Sequence, residues 1–494
     1  MIRLLTALLS SILATASLPA QEAHDHPAPE KLGKVSFPIH CAADAQEPFN
    51  RGVALLHSFA YAAAREAFGS VAKGDPACAM AHWGAAMTYY HPLWEPPLPA
   101  GAVSLGRSEV EAGLRAHPTS DRERRFLEAL AVVFNDPAVP YSARALKYEL
   151  KMKALALEDQ NDVEPQVFYA LALLANASPA DKTHARQKQA LELLEPLYRA
   201  YPDHPGIPHY LIHACDNAEL AVRGLAPARA YAQIAPSAPH ALHMPSHIFT
   251  RLGLWDESIA SNDAARAAAH RTGDIGEELH AMDYLVYAYL QIGRDSDAQA
   301  VIRELDAMPG LNLGDFKVAY ARTAMPSRLV VERNRWADAA NIATPADAPL
   351  QVTAIAVWCR GLGLARSGQV SQADKEAKEI AGIEKRLRAS GNDYWATQTA
   401  ILAGEVAAWI TEAGGRHDEA EAQMRAAADA EDSLEKLPVT PGPILPAREQ
   451  LAYLLLQRNQ PARALKELET ALQNAPGRRT AMQGKVLALE LQAQ

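Results

Sequence analysis

Small and large residues recur at fixed offsets along this chain, in a 34-residue helix–turn–helix pattern. Small residues at positions 8 and 20 allow two helices to cross closely, a large apolar residue at 24 fills the gap, and proline at 32 ends the second helix. A unit that starts at Ala45 has Gly52, Ala64, Phe68 and Pro76 in these four places. Because one such hairpin cannot bury its apolar face alone, the pattern predicts a stack of hairpins.

The same register recurs as far as the C-terminus. Further units start at Pro205, Pro239, Leu279, Ala354, Ile401 and Leu445. Strand patterns are nearly absent. We therefore predict an all-α fold, an α-solenoid of eight to ten degenerate tetratricopeptide-like hairpins. The chain length of 494 residues agrees with a repeat array, since single cores stop growing beyond roughly 250–300 residues.

The N-terminus has the pattern of a secretory signal peptide. Arg3 precedes a largely apolar run from Leu4 to Ala16, and small residues allow cleavage after Ala16 or Ala20. This run is too short to span a bilayer. No later apolar run reaches 18 residues, so the sequence predicts a periplasmic or secreted protein without a membrane anchor.

The predicted organisation has three parts. Residues 1–20 form the signal peptide, residues 21–44 an N-terminal extension, and residues 45–494 the solenoid. Within the solenoid we expect N-terminal repeats with an insertion over about 92–160 (residues 45–204), histidine-rich central repeats (205–312) and C-terminal repeats (313–494).

Four cysteines are compatible with this compartment, where disulfides form. Cys41 and Cys78 flank the first unit and are the predicted disulfide, whereas Cys215 and Cys359 are expected to be buried thiols. Acidic residues outnumber basic ones, 58 against 48, for a net charge of −10. That balance excludes a nucleic-acid partner, since phosphate neutralisation needs a basic surface.

The chain has 17 histidines, and the register gathers several of them. The first helix of each unit lines the concave groove of such a solenoid, with about positions 2, 5, 9 and 12 facing inward. In three successive central units these positions are occupied by His209, His213, Asp216, His240, His243, His247, His280, Asp283 and Tyr287. Six histidines and two aspartates are therefore expected to face one groove.

Two of these pairs, His209/His213 and His243/His247, have the i,i+4 spacing that lets two imidazoles bind one metal ion. The predicted ion is zinc, copper, iron or manganese. Asp216 and Asp283 are expected to be further ligands or acceptors that fix the imidazole tautomers. The alternative is that these residues are ordinary polar contacts to a bound peptide. Further groove-lining residues are predicted at Trp83, Tyr90, His91 and Tyr287.

Three stretches resemble one family, exported bacterial tetratricopeptide-repeat proteins. They are Phe49–Trp83, His204–Asp216 (HPGIPHYLIHACD) and Ala238–Trp255 (APHALHMPSHIFTRLGLW). The resemblance extends over nearly the whole mature chain. It implies a solenoid, export and a histidine-rich centre, but no catalytic residue, since the family has no established activity.

Two functions are compatible with these patterns. The first is an exported scaffold whose groove binds a protein or peptide and also holds a transition metal. The alternative is a metal-dependent enzyme, a hydrolase or an oxidase or oxygenase, with its site in the central repeats.

Overall fold

Helical hairpins make up the computed structural model, which describes residues 30–93 and 98–493. Within those residues it has 24 α-helices, two 3₁₀ turns and no strand. The predicted all-α solenoid is confirmed. The signal-peptide prediction for residues 1–20 lies outside the described residues, as does the start of the extension. Residues from Lys31 onward pack as one unit.

The N-terminal hairpins contain eight helices. They are α1 (Gln46–His57), α2 (Tyr61–Gly74), α3 (Ala79–Met87), α4 (Ala100–Arg115), α5 (Asp121–Phe134), α6 (Tyr141–Glu158), α7 (Val163–Ala175) and α8 (Ala185–Ala200). The helices pack so closely around Phe68 that two neighbouring positions need glycine. A Cβ added to Gly52 or Gly84 would lie 2.7 or 2.4 Å from the ring of Phe68. The sequence predicts an insertion over 92–160, whereas the structure has α4, α5 and α6 packed in chain order.

The central hairpins carry the histidines. Their helices are α9 (Gly206–Cys215), α10 (Leu225–Ile234), α11 (Pro239–His243), α12 (Pro245–Leu252), α13 (Trp255–Thr272), α14 (Ile275–Gln291) and α15 (Asp295–Ala307). The helices α11 and α12 together form the inner arm of the hairpin whose outer helix is α13. They are two helices rather than one because Pro245, the first residue of α12, lacks the N–H that a continuous helix needs.

The C-terminal hairpins complete the array. Their helices are α16 (Phe316–Glu332), α17 (Trp336–Ala339), α18 (Leu350–Arg366), α19 (Val370–Ala389), α20 (Asp393–Ala413), α21 (His417–Asp432), α22 (Ala447–Gln457), α23 (Pro461–Asn474) and α24 (Arg479–Gln492). The described residues thus form eleven hairpins and a last helix, more than the eight to ten predicted.

The N-terminal extension covers the inner face of the first hairpins. The ring of Phe37 packs 5.3, 5.1 and 5.0 Å from those of Phe49, Trp83 and Phe126. Further along the solenoid, the backbone N–H of Lys34 donates to a carbonyl of the loop before α9. A disulfide joins Cys41 to Cys78 at the start of α3, whereas Cys215 and Cys359 are buried thiols.

The loop between α21 and α22 crosses the inner face of the central hairpins. The Lys436 ammonium donates to Asp216 over 2.6 Å, and the Tyr284 hydroxyl donates to the carbonyl of Thr440 over 3.2 Å. This loop therefore helps to bury the histidine-bearing helices. Among the described residues, no helix is both long and apolar enough to cross a membrane.

Candidate metal centre

The inner helices of the central hairpins bring six histidines together as two neighbouring triads. The first triad is His209, His213 and His240, and the second is His243, His247 and His280. Within each triad the candidate ligand atoms lie within 4.8 Å of one another, and every residue is buried. The groove predicted from the repeat register therefore has its six imidazoles in contact.

The first triad has the spacing of metal ligands. The Nε2 atom of His209 lies 3.1 Å from that of His213 and 3.2 Å from that of His240. A tetrahedral ion with metal–nitrogen bonds of about 2.0–2.1 Å holds its ligands about 3.3 Å apart. The imidazoles therefore need only small movements to bind one ion.

Hydrogen bonds fix which nitrogens of the first triad carry protons. The Nδ1 atom of His209 lies 2.6 Å from the carbonyl oxygen of His57, which can only accept. The Nδ1 atom of His240 lies 3.0 Å from the carboxylate of Glu277. Burial alone would raise the pKa of Glu277, but Lys317 and His240 hold it well below its usual range. Both Nδ1 atoms therefore donate, and the two Nε2 atoms face each other.

The second triad repeats this arrangement with other partners. The Nε2 atoms of His243 and His247 are 3.0 Å apart. The Nδ1 atom of His243 lies 2.7 Å from the side-chain oxygen of Asn262, whose amide nitrogen donates to the carbonyl of Ser258. The Nδ1 atom of His247 lies 2.8 Å from Asp216. Here too, both Nδ1 atoms donate and two lone pairs converge.

Burial favours the neutral form, which binds metals, in five of the six imidazoles. It lowers the pKa values of His209, His213, His243 and His280 well below their usual range. The pKa of His247 is lowered to about 4, since burial outweighs the attraction of Asp216. Burial would raise the pKa of Asp216 itself, but Lys436 and Arg251 hold it well below its usual range, so it remains an acceptor.

The two triads lie side by side. The ring centroids of His213 and His247, one from each triad, are 6.1 Å apart, and those of His240 and His243 are separated by the same distance. Imidazoles of the two triads therefore form the boundary between them. Two ions bound there would share one buried compartment.

Phe59, the residue after the C-cap of α1, covers the first triad. Its ring centroid lies 4.5 Å from that of His209 and 5.4 Å from that of His240. Its φ of 53° is left-handed, which costs a residue with a Cβ roughly 1–2 kcal/mol. This strained backbone places an aromatic ring between the triad and the helices of the first hairpins.

A third cluster nearby has a different chemistry. The Nε2 atoms of His57 and His204 lie 2.9 and 3.1 Å from the two oxygens of Glu164. The backbone N–H of Gly206 donates to Nδ1 of His204, so the Nε2 atom of His204 donates to the carboxylate. Burial would raise the pKa of Glu164, but the two imidazoles lower it to about 2. This cluster satisfies its own hydrogen bonds.

Asp216 contacts an imidazole of the second triad, whereas Asp283 pairs with an arginine instead. Asp283 joins neither triad; its carboxylate lies 3.6 Å from the guanidinium of Arg328. It extends from the same helix as His280, but it is paired with the following inner helix rather than with the imidazoles. Asp216 is likewise outside both triads and has the second of its predicted roles, an acceptor for Nδ1 of His247.

The predicted groove residues lie mostly in the interior. Trp83 is covered by Phe37, because the N-terminal extension fills the inner face there. Tyr90 is buried with its ring 5.3 Å from that of Tyr148. The remaining two have local partners: Arg478 donates to the Tyr287 hydroxyl, and His91 stacks on Tyr61 with centroids 4.0 Å apart. Trp83 and Tyr90 are therefore packing residues, not an open binding surface.

The repeat register missed the residues that orient the imidazoles. Glu277 lies three residues before His280 on α14 and therefore on the same inward face of that helix, so the helical spacing could have identified it. Asn262 lies on α13, the outer helix of its hairpin, and Phe59 lies in a turn. Neither position belongs to the inward face that the register describes.

Comparison with known proteins gives only distant likenesses to solved structures. No protein-family model and no curated protein matches the chain. Among solved structures, the TPR domain of P58(IPK) is 12% identical over 92% of this chain and 99% of its own, with a TM-score of 0.24. Yeast Tom70 is 11% identical over 90% and 88%, with a TM-score of 0.34. A monomeric IFIT1 mutant with Gppp-AAAA is 12% identical over 84% and 90%, with a TM-score of 0.36.

Proposed function

We propose that this protein binds two first-row transition-metal ions, one in each histidine triad. The observation that carries the proposal is the pair of Nε2 atoms of His243 and His247, 3.0 Å apart. Both of these imidazoles donate from Nδ1, so neither Nε2 can donate to the other. The two Nε2 lone pairs therefore repel each other, and a cation between them would remove this repulsion because both nitrogens would coordinate it.

Zinc or copper is the proposed occupant. The triads offer imidazole nitrogens alone, which suit zinc, copper and iron, whereas manganese prefers carboxylate oxygens. The carboxylates nearby, Glu277 and Asp216, contact the Nδ1 atoms instead of the ligand side. Such outer carboxylates orient imidazole ligands and increase their basicity.

A second candidate is a metal-dependent enzyme, either a hydrolase or an oxidase or oxygenase. The observation that favours it is the number of ligands. Three imidazoles leave a fourth position on a tetrahedral ion, and catalytic zinc sites keep such a position open for water or substrate. No catalytic residue is assigned.

The proposal also includes the compartment in which the protein acts and the class of its binding partner. We infer a periplasmic or secreted protein from the signal-peptide pattern of residues 1–20. A protein or peptide partner is proposed on the general use of helical-repeat surfaces. It would bind where the chain does not fill its own inner face.

Elemental analysis of the untagged protein tests the metal proposal. After loading with Zn²⁺ or Cu⁺ and desalting, we expect two ions per chain. The double variant His209→Ala/His240→Ala should retain one ion and His243→Ala/His247→Ala the other. His82→Ala is the matched control, since His82 pairs with Glu109 away from the triads. Protein that retains no zinc, copper, iron or manganese would overturn the proposal.

A further inference from the structure

The C-terminal hairpins enclose a cavity of about 180 Å³ on their inner face. Its wall is formed by α18, α20 and the loop between α21 and α22, together with residues of α12 and α14 from the central hairpins. Among the described residues, the lining includes five aromatic side chains, four carboxyl groups and no histidine; Trp358, Glu405 and Glu431 are among them. No residue of either triad lines this cavity, although Arg251 and Lys436, which pair with Asp216, do.

Glu405 is fully buried in this wall and only half satisfied. Its Oε2 atom accepts from the indole N–H of Trp358 and from the amide of Gln450, both over 2.7 Å. Its Oε1 atom has no hydrogen-bond partner among the described residues. A buried carboxylate oxygen without a donor is costly, and its presence calls for an explanation.

A second carboxyl group lies near the first. Glu431 accepts from the backbone N–H of Ala447 over 2.9 Å, and its strongest charged neighbour is Glu405. Burial raises the pKa of Glu405 to about 8. Burial and then Glu405 raise the pKa of Glu431 well above its usual range. Two neighbouring buried carboxyl groups do not both ionise unless a cation lies near them.

The cations that line the cavity are occupied elsewhere. Arg448 pairs with Asp429, Asp432 and Glu467, and Arg478 pairs with Glu332 and Glu449. Lys436 pairs with Asp216, Lys182 with Glu435, and Arg251 with both of these carboxylates. No ion pair among the described residues reaches Glu405 or Glu431. The cavity wall therefore includes aromatic faces and two carboxyl groups, Glu405 and Glu431, that form no ion pair with any cation of the described residues.

We propose that this cavity binds a small organic ammonium ion, with its charge between Glu405 and Glu431 and its apolar part against the aromatic rings. An ammonium group has only donors, which complement carboxylate oxygens. Aromatic faces add a favourable interaction with the cation. A divalent metal fits less well, because Ca²⁺ and Mg²⁺ need six or more oxygen ligands and this wall has few. The proposal does not rest on the metal centre.

Calorimetry with three probes of one size and different charge tests the proposal on the full chain. Benzylammonium should bind saturably, whereas neutral benzyl alcohol and anionic benzoate should bind at least tenfold more weakly. Tryptophan fluorescence should change with the same titration, because Trp358 donates to Glu405. Equal binding of benzylammonium and benzyl alcohol, or no saturable binding of benzylammonium, would overturn the proposal.

Variants locate the binding site. Glu405→Gln/Glu431→Gln keeps the shapes and acceptor oxygens of both side chains and should weaken benzylammonium binding at least tenfold. Glu469→Gln, at an exposed glutamate on α23 that pairs with Lys485, should bind like the wild type. Unchanged metal content and melting temperature show that the double variant is folded. Wild-type affinity in a folded double variant would contradict the proposed site.

Discussion

The two histidine triads and the His57–Glu164–His204 cluster are built from similar residues but differ in what stands between the rings. In the cluster, a carboxylate accepts from both imidazoles over 2.9 and 3.1 Å. In the triads, the carboxylates and amide contact the outer nitrogens, so the inner nitrogens face one another over 3.0–3.2 Å. The hydrogen bonds of the cluster are therefore satisfied within the protein, whereas we propose that a cation completes each triad.

Removing the carboxylate from the cluster should have the largest effect on stability. In Glu164→Gln two buried imidazoles lose their anionic partner, and breaking such a buried pair costs about 3–5 kcal/mol. We expect that loss in the free energy of unfolding measured by urea titration. Metal content should stay at two ions per chain. Loss of metal without loss of stability would reverse the roles that we assign to the two regions.

Removing an outer carboxylate from the first triad should instead act on the metal. In Glu277→Gln the Nδ1 atom of His240 loses its anionic acceptor, and changes of this kind typically weaken metal binding 10–100-fold. Competition with a chromophoric chelator should detect this weakening for one ion of the two. The same substitution at the exposed control, Glu469→Gln, should leave both affinities unchanged. Equal weakening in both variants would exclude an orienting role for Glu277.

The pH dependence of stability should also differ between the second triad and the His57–Glu164–His204 cluster. The pKa of His247 falls from 6.5 to about 4 on folding, so the unfolded chain binds more protons between these values, and metal-free protein loses stability as the pH falls from 6.5 towards 4. The pKa of Glu164 falls from 4.5 to about 2, so its contribution is lost only below pH 4.5. Thermal unfolding of metal-free protein from pH 7 to pH 3 measures both.

Metal loading provides the control for this pH series. Bound ions stabilise the folded state and compete with protons for the imidazoles. The loaded protein should therefore keep its melting temperature to lower pH than the metal-free protein does. Identical curves would mean that the triad nitrogens do not hold the metal.

The smallest effect on metal binding is expected at Phe59. Glycine adopts its left-handed conformation without a steric penalty, so Phe59→Gly relieves the backbone strain but removes the buried ring that covers the first triad. Because the lost burial exceeds the relieved strain, we expect a loss of about 1–4 kcal/mol in the free energy of unfolding. We also expect unchanged metal content and a faster release of one ion to a chelator, followed by stopped-flow absorbance. Release at the wild-type rate would show that the ring does not control access.

The sequence was sufficient for the hairpin repeat and for the histidine faces, because both depend on local spacing along one helix. It was insufficient for Asp283, whose partner Arg328 lies on the next inner helix. It also missed the filling of the groove over Trp83, since Phe37 belongs to a segment without a repeat pattern. The position of an orienting group such as Asn262 depends on how the outer helix packs. The spacing of residues along the inner helix carries no information about that packing.

Anomalous diffraction from crystals of zinc- or copper-loaded protein, collected at the absorption edge of the metal, tests the central claim most directly. We predict two peaks, one among the Nε2 atoms of His209, His213 and His240 and one within the His243–His247–His280 triad. Metal–nitrogen distances should be about 2.0–2.1 Å. No peak in either triad, or a peak at the His57–Glu164–His204 cluster instead, would contradict the account.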